Sequence, residues 1–199
     1  MVEFWERNFI EKGAMWGNTP ASSTVIAKDF FLEKNVKEIL IPGFGYGRNA
    51  KLFLDNGMQV TGIELSKTAI ELAKKHVGHQ VTIYQGSVTA MPFDQKKYAG
   101  IYCYALIHLL DTADRKKFIH DCFDQLSDDG YMIFTALSKK ASSYGQGQNV
   151  GKDRFELFNG VKMFFYDEES IHAEFDAYGL LAINEVKENY PFYLITCKK

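Results

Sequence analysis

The chain has 199 residues, with 23 Lys+Arg against 25 Asp+Glu for a formal net charge of -2, and 46% hydrophobic against 24% charged residues. These values describe a folded chain of about one domain with a sizeable core, and they exclude intrinsic disorder and a global basic field for nucleic acid. No run of about 18 apolar residues is present, the first residues lack the basic-then-apolar layout of a signal peptide, and Cys103, Cys122 and Cys197 stand far apart, which together read as a cytoplasmic protein with no membrane partner and with cysteines used as small apolar residues.

In chain order, the first ~35 residues read as two helices, Val2 to Glu11 and, after Pro20, Ala21 to Lys34. Lys37 to Ile41 is a short apolar run ending at Pro42 and glycines, a buried strand. Arg48 to Asn56 has helical character and stops at Gly57. Gln59 to Ile63 is a second strand. Ser66 then precedes a helix with Ile70, Ala73 and Val77 on one face, closed by Gly78. Gln80 to Tyr84 and Tyr98 to Tyr104 read as the third and fourth strands.

Thr112 is suited to cap the next helix, whose apolar face is Phe118, Ile119, Cys122, Phe123 and Leu126. Asp128-Asp129-Gly130 reads as a turn before a fifth strand, Tyr131 to Leu137. The polar, glycine-rich segment from Lys139 to Gly160 reads as a long loop, and such loops are commonly functional. Asp167 to Tyr178 is amphipathic. Leu180 to Val186 and Phe192 to Cys197 close the chain as two strands joined tightly enough to form an antiparallel hairpin. Strands alternating with helices predict a mostly parallel α/β sheet covered on both faces.

The segment Pro42-Gly43-Phe44-Gly45-Tyr46-Gly47-Arg48-Asn49 leaves a predicted strand and enters a predicted helix. Glycines permit positive φ and close approach of a ligand to the backbone, and a helix N-terminus offers free N–H groups. A dinucleotide fingerprint requires glycine where Arg48 stands; a plain tight turn is the bland alternative. Glu64 ends the second strand, and its two oxygens match the two adjacent hydroxyls of a ribose. A third polar position, Gln85-Gly86-Ser87-Val88, follows the third strand, where a side chain or backbone N–H can address an adenine.

Taken in order, these motifs resemble the S-adenosylmethionine-dependent class I methyltransferases from about Lys37 to Lys199. The glycine turn is similar to that family's first motif, Glu64 to its ribose acid, Gly86-Ser87-Val88 to its adenine motif, Tyr98 to Leu110 to its fourth-strand region, and Gln125 to Phe134 to its entry into the fifth strand. Phe4-Trp5-Glu6 and Trp16-Gly17-Asn18-Thr19-Pro20 resemble the leader of the small-molecule branch with thiopurine and tellurite-resistance methyltransferases. Ile41 stands where the family usually carries an acid, and Ser87 replaces its adenine-binding acid.

The resemblance implies a Rossmann-like, doubly wound, seven-stranded sheet, mostly parallel with an antiparallel C-terminal hairpin strand, within one unit over 1–199. Residues 1–36 would be a helical cover and about 139–165 a substrate loop. It implies S-adenosylmethionine as cofactor, S-adenosylhomocysteine as product, no metal, and a small-molecule methyl acceptor. The cofactor set it implies is Trp16, Gly43, Gly45, Gly47, Asn49, Glu64, Leu65, Ser66, Ser87, Val88 and Tyr104. Phe9, Trp16, His108, Tyr144 and Arg154 are expected to face the acceptor, with His108 and Tyr144 as candidate catalytic groups. His76 and His79 flank a helix end without a second ligand cluster, so no metal site is read there. A cofactor-binding protein without turnover and a nicotinamide-dependent oxidoreductase are the alternatives. The late phenylalanines Phe155, Phe158, Phe164 and Phe165 are expected to dock the long loop on the sheet.

Overall fold

The computed structural model describes residues 2–157 and 160–199; the expectation for Phe158 lies outside them. Two helices open the chain, α1 (Val2–Lys12) and α2 (Ser22–Glu33). Five parallel strands follow: β1 (Glu38–Pro42), β2 (Gln59–Glu64), β3 (Thr82–Gln85), β4 (Tyr98–Cys103) and β5 (Leu126–Leu137). Between them run α3 (Arg48–Asp55), α4 (Lys67–Val77) and α5 (Thr112–Gln125). Three short strands, β6 (Gln148–Gly151), β7 (Arg154–Glu156) and β8 (Lys162–Phe164), precede α6 (Glu168–Phe175) and the closing hairpin β9 (Leu180–Lys187) and β10 (Pro191–Lys198).

The main sheet has seven strands in the order β3-β2-β1-β4-β5-β10-β9. Strand β10 runs antiparallel between β5 and β9, from Phe192 opposite Leu137 to Lys198 opposite Tyr131. Order reverses between β1 and β4, which leaves a crevice at the carboxyl ends of those strands. This is the doubly wound sheet that the alternation of strands and helices predicts.

The central strands carry apolar residues on both faces because each face is covered, and period-two alternation divides them between two cores. Ile39, Ile41, Tyr102 and Ile133 pack with α2, α3 and α4 through Phe31, Phe53 and Ala73. Leu40, Ile101, Cys103, Met132 and Phe134 pack on the other face with α5 and α6 through Phe118, Ile119, Cys122, Ile171 and Phe175. All three cysteines are buried and free.

Three local expectations are corrected. The fifth strand begins at Leu126, and Asp128-Asp129-Gly130 lies inside it. Asp129 at φ 61 takes up the irregularity, and the pairing with β4 shifts register there. Asp111 rather than Thr112 caps α5, its carboxylate accepting from the Asp114 N–H at 2.9 Å. The segment 139–165 is not a plain loop: β6, β7 and β8 form a small antiparallel sheet. Lys139 fastens its base, reaching Asp153 at 2.8 Å and Asp167 at 2.5 Å. Phe165 is buried against Leu137 and Phe192, and Phe164 beside Tyr166, which is the docking expected of the late phenylalanines.

Candidate active site

A cavity of about 350 Å³ opens at the carboxyl ends of β1, β2 and β4 and is roofed by the leader. Its wall brings together, from the expected set, Phe9, Trp16, Gly43, Gly45, Asn49, Glu64, Leu65, Ser87, Val88, Tyr104 and His108. Gly47 and Ser66 sit one layer behind it as helix caps. Tyr144 and Arg154 are not on the wall.

The glycine turn is built by backbone conformation. Gly43, Gly45 and Gly47 have φ of 74°, 58° and 83°, a region that costs side-chain-bearing residues about 1–2 kcal/mol. Their surroundings differ. A Cβ on Gly43 would lie 3.1 Å from the Leu106 side chain, and one on Gly47 2.9 Å from Val77, whereas one on Gly45 would meet nothing within 4 Å. Gly43 and Gly47 thus serve packing, and Gly45 leaves space toward the cavity.

Glu64, 7% exposed, forms the floor. One carboxylate oxygen accepts the Gly45 N–H at 2.7 Å, and the other accepts those of Leu65 at 2.8 Å and Ser66 at 2.9 Å. Burial raises its pKa above the ordinary value, and the three backbone donors oppose that shift. Of the roughly four acceptor sites of a carboxylate three are thus taken, and the oxygen bonded to Gly45 keeps one for a ligand donor.

The leader is fastened over this floor by polar contacts. Glu6 on α1 accepts from the Ser66 hydroxyl and the Thr68 hydroxyl, both at 2.6 Å, at the N-terminus of α4. Tyr46 donates to the Gly17 carbonyl at 2.6 Å and stacks on Trp16 with 6.1 Å between ring centroids. Arg48 donates to the Trp16 carbonyl at 3.1 Å and lies over the Tyr104 ring. Asn49 accepts the Ala21 N–H at 3.1 Å. From the far end of the chain, Glu188 accepts the Ser23 N–H at 2.9 Å at the start of α2 and the Tyr104 hydroxyl at 2.7 Å.

The opposite wall is apolar: Leu106, Leu109, Leu110, Leu137, Leu157, Met163 and Phe192. His108, 5% exposed, stands among them beside Phe192. Its Nδ1 is buried without a hydrogen-bond partner among the described residues, and burial drives its pKa down to about 3, so the imidazole is neutral near pH 7. Tyr144, 37% exposed, instead donates to Asp153 at 2.7 Å outside the cavity. Arg154 does not reach the cavity either: its guanidinium lies behind the wall and donates to the carbonyls of Leu110 at 2.5 Å and Leu109 at 3.5 Å. Among the described residues no group of three His, Cys, Asp or Glu is placed to hold a metal ion, and no helix is long and apolar enough to cross a membrane.

Sequence reasoning did not select Tyr46, Arg48, Leu106, Tyr190 and Phe192, which also line the cavity, or Glu188 beside Tyr104. For Tyr46 and Arg48 the signal was their place inside the glycine turn. For Glu188 and Phe192 no local signal exists, since both arrive from the closing hairpin.

Residues 39–130 match the family model described as a methyltransferase domain. The chain is 27% identical over 113 residues to the ubiquinone biosynthesis O-methyltransferases of Nitrosospira multiformis and Alkalilimnicola ehrlichii, covering 54% of this chain and 46% and 44% of those proteins. It thus spans about half the length of the curated relatives it matches. Among solved structures, it is similar to 1,6-didemethyltoxoflavin-N1-methyltransferase of Burkholderia thailandensis, bound to 1,6-didemethyltoxoflavin and S-adenosylhomocysteine, at TM-score 0.78 and 14% identity, covering 100% of this chain and 86% of that one. It is also similar to magnesium protoporphyrin IX methyltransferase of Synechocystis with bound S-adenosylmethionine, at TM-score 0.72 and 11% identity, covering 100% and 96%.

Proposed function

We propose that the chain transfers a methyl group from S-adenosylmethionine to a small molecule in the cavity beneath its leader, a reading supported by a sheet similar to those of solved methyltransferases and by the methyltransferase-domain match over residues 39–130. The observation that carries the reading is the buried Glu64 carboxylate beside Gly45, with open space where a Cβ would stand. The bound cofactor supplies a sulfonium-activated methyl group, so the protein's part is placement and electrostatics.

Glu64 takes a ribose hydroxyl through the oxygen bonded to Gly45, and Leu65, Ser66, Ser87 and Val88 form the adenine side. Gly43, Gly45, Gly47 and Asn49 shape the turn beside the amino-acid portion. Arg48 is the one Lys or Arg side chain on the cavity wall among the described residues, and it takes the carboxylate, a role unforeseen in the sequence. Ile41 is 3% exposed in the core, so no acid is available at that position for the amino group. Tyr104 meets the cofactor from β4 and is held there by Glu188. Phe9 and Trp16 exclude water, and His108 faces the acceptor. Tyr144 and Arg154 support the wall from behind. Residues 1–199 work as one cytoplasmic unit, with 1–36 as cover and 139–165 as the substrate-side insertion. The relation to the thiopurine and tellurite-resistance branch rests on the leader and the Pro-Gly-x-Gly-x-Gly turn.

Titration calorimetry with S-adenosylmethionine and S-adenosylhomocysteine tests the reading. Saturable binding of both is expected; heat from neither overturns it.

A further inference from the structure

Among the described residues, the acceptor side of the cavity differs from the cofactor side in carrying no Lys or Arg side chain. Arg48 belongs to the glycine-turn end, with its guanidinium on the Trp16 carbonyl and the Tyr104 ring. Arg154 and Arg115 lie behind the acceptor wall, and both turn inward to the protein. Arg154 donates to the carbonyls of Leu109 and Leu110. Arg115 is buried, donates to the Leu110 carbonyl at 3.3 Å and pairs with Glu174 at 2.9 Å. Neither guanidinium is on the wall itself.

Among the described residues that wall is mainly apolar, with Leu106, Leu109, Leu110, Leu137, Met163 and Phe192; His108 is its one His, Lys, Arg, Asp or Glu, and Ser143, Asn189 and Tyr190 add uncharged polar groups to the cavity. An anion moved from water to such a wall loses its hydration and gains no counter-charge from a protein side chain there, which is unfavourable. An uncharged apolar molecule gains by the same transfer. Nδ1 of His108 is sealed from solvent without a partner among the described residues, and the imidazole meets a ligand through the part of the ring that lines the cavity, where it is the one titratable imidazole on the wall.

We infer that the methyl acceptor is an uncharged, largely apolar molecule with one hydroxyl- or thiol-type polar group, and that the His108 imidazole recognises that group while the apolar wall rejects anionic analogues. The inference rests on the cofactor reading above and adds the acceptor's chemical class. His108 is then the specificity-determining residue of the acceptor side. Arg154, expected from the sequence to face the acceptor, instead donates to the Leu109 and Leu110 carbonyls behind that wall.

The test uses the full chain saturated with S-adenosylhomocysteine at pH 7, titrated with 2-naphthol and with 2-naphthoate, which share a skeleton and differ in charge. Expected is tighter binding of 2-naphthol by about 10-fold or more, the scale of one desolvated charge or hydrogen bond. His108→Phe is expected to weaken 2-naphthol by about 5- to 20-fold with little change for 2-naphthoate, and His108→Gln to restore part of the loss. S-adenosylhomocysteine affinity of each variant reports that the cofactor end is intact. Equal or tighter binding of 2-naphthoate, no binding of 2-naphthol, or a 2-naphthol affinity indifferent to His108→Phe would overturn the inference with the cofactor reading standing. Failure of S-adenosylhomocysteine to bind the unmodified chain would overturn the cofactor reading itself, and the inference with it. The naphthol–naphthoate comparison on the unmodified chain needs no variant to fold.

Discussion

Replacing Glu64 by Gln separates what this side chain does for the fold from what it does for a ligand. The carboxylate accepts three backbone N–H groups, from Gly45, Leu65 and Ser66. The amide oxygen of Gln can keep the Leu65 and Ser66 bonds, which share one oxygen. The amide nitrogen then faces the Gly45 N–H, donor against donor. One buried N–H is left unpaired, at about 1–3 kcal/mol, and a chain of this size loses about 2–4 °C in Tm per kcal/mol. A fall of about 2–12 °C in differential scanning calorimetry is expected. Ligand affinity falls separately, because the charged acceptor for a ribose hydroxyl becomes a donor, a loss of about 1.5–3 kcal/mol or roughly 10- to 100-fold in Kd. A Tm lowered as expected with the S-adenosylmethionine Kd within about 2-fold of the parent would refute the ribose role and leave Glu64 a structural residue. The pH dependence gives a second check. Burial raises the Glu64 pKa above its ordinary 4.5. The folded chain thus binds more protons than the unfolded one between those two values. This group's contribution to stability therefore falls as pH rises through that window. Ligand affinity moves the other way: it is complete above the raised pKa and is lost on acidification, at a pH above 4.5.

The other expectations follow from single contacts. Gly45→Ala strains a backbone at φ 58 without a clash, so it should cost only about 1–2 kcal/mol of stability while its methyl enters the cavity and weakens cofactor binding; Gly47→Ala, 2.9 Å from Val77, should lower Tm further, and calorimetry on both variants gives the comparison. Glu6→Ala removes the tie between α1 and α4 and should raise hydrogen exchange in the leader with the sheet unchanged. The Ser66 and Thr68 bonds lower the Glu6 pKa, so in the parent this tie is complete above 4.5 and is lost as pH falls through the lowered value, which exchange measured at several pH values would follow. Tyr144→Phe deletes only the exposed bond to Asp153 and should leave methyl transfer within about 2-fold; a loss of 100-fold would restore Tyr144 as a catalytic group.

The legible parts of the fold were those written in local pattern. The apolar run into Pro42-Gly43, Ser66 before the α4 face, and Gly78 after it each act within a few residues, and the elements they predict stand within a residue or two of their expected bounds. The small sheet β6–β8 was not legible. Its strands are three or four residues long, partly exposed and largely polar, so neither alternation nor an apolar run marks them. The cavity floor was legible because Glu64 and the glycines lie at fixed offsets from their strands. Tyr144 and Arg154, expected at the acceptor, lie off the cavity wall because their side chains turn toward Asp153 in one case and toward the Leu109 and Leu110 carbonyls in the other. Those partners follow from tertiary packing, which no local pattern encodes. Glu188 was missed for the same reason, since its bonds to Ser23 and Tyr104 span most of the chain.

The antiparallel position of β10 has a consequence for solubility. The outer strand of the sheet, β9, carries Glu185 and Lys187, the kind of charge that discourages a strand edge from pairing with another molecule. Strand β5 has no such guard along Tyr131–Leu137, the apolar stretch that β10 covers. A chain cut before Pro191 therefore loses more than its last strand: it bares a sticky margin in the middle of the sheet, and it would be recovered as aggregate rather than as a weakened fold.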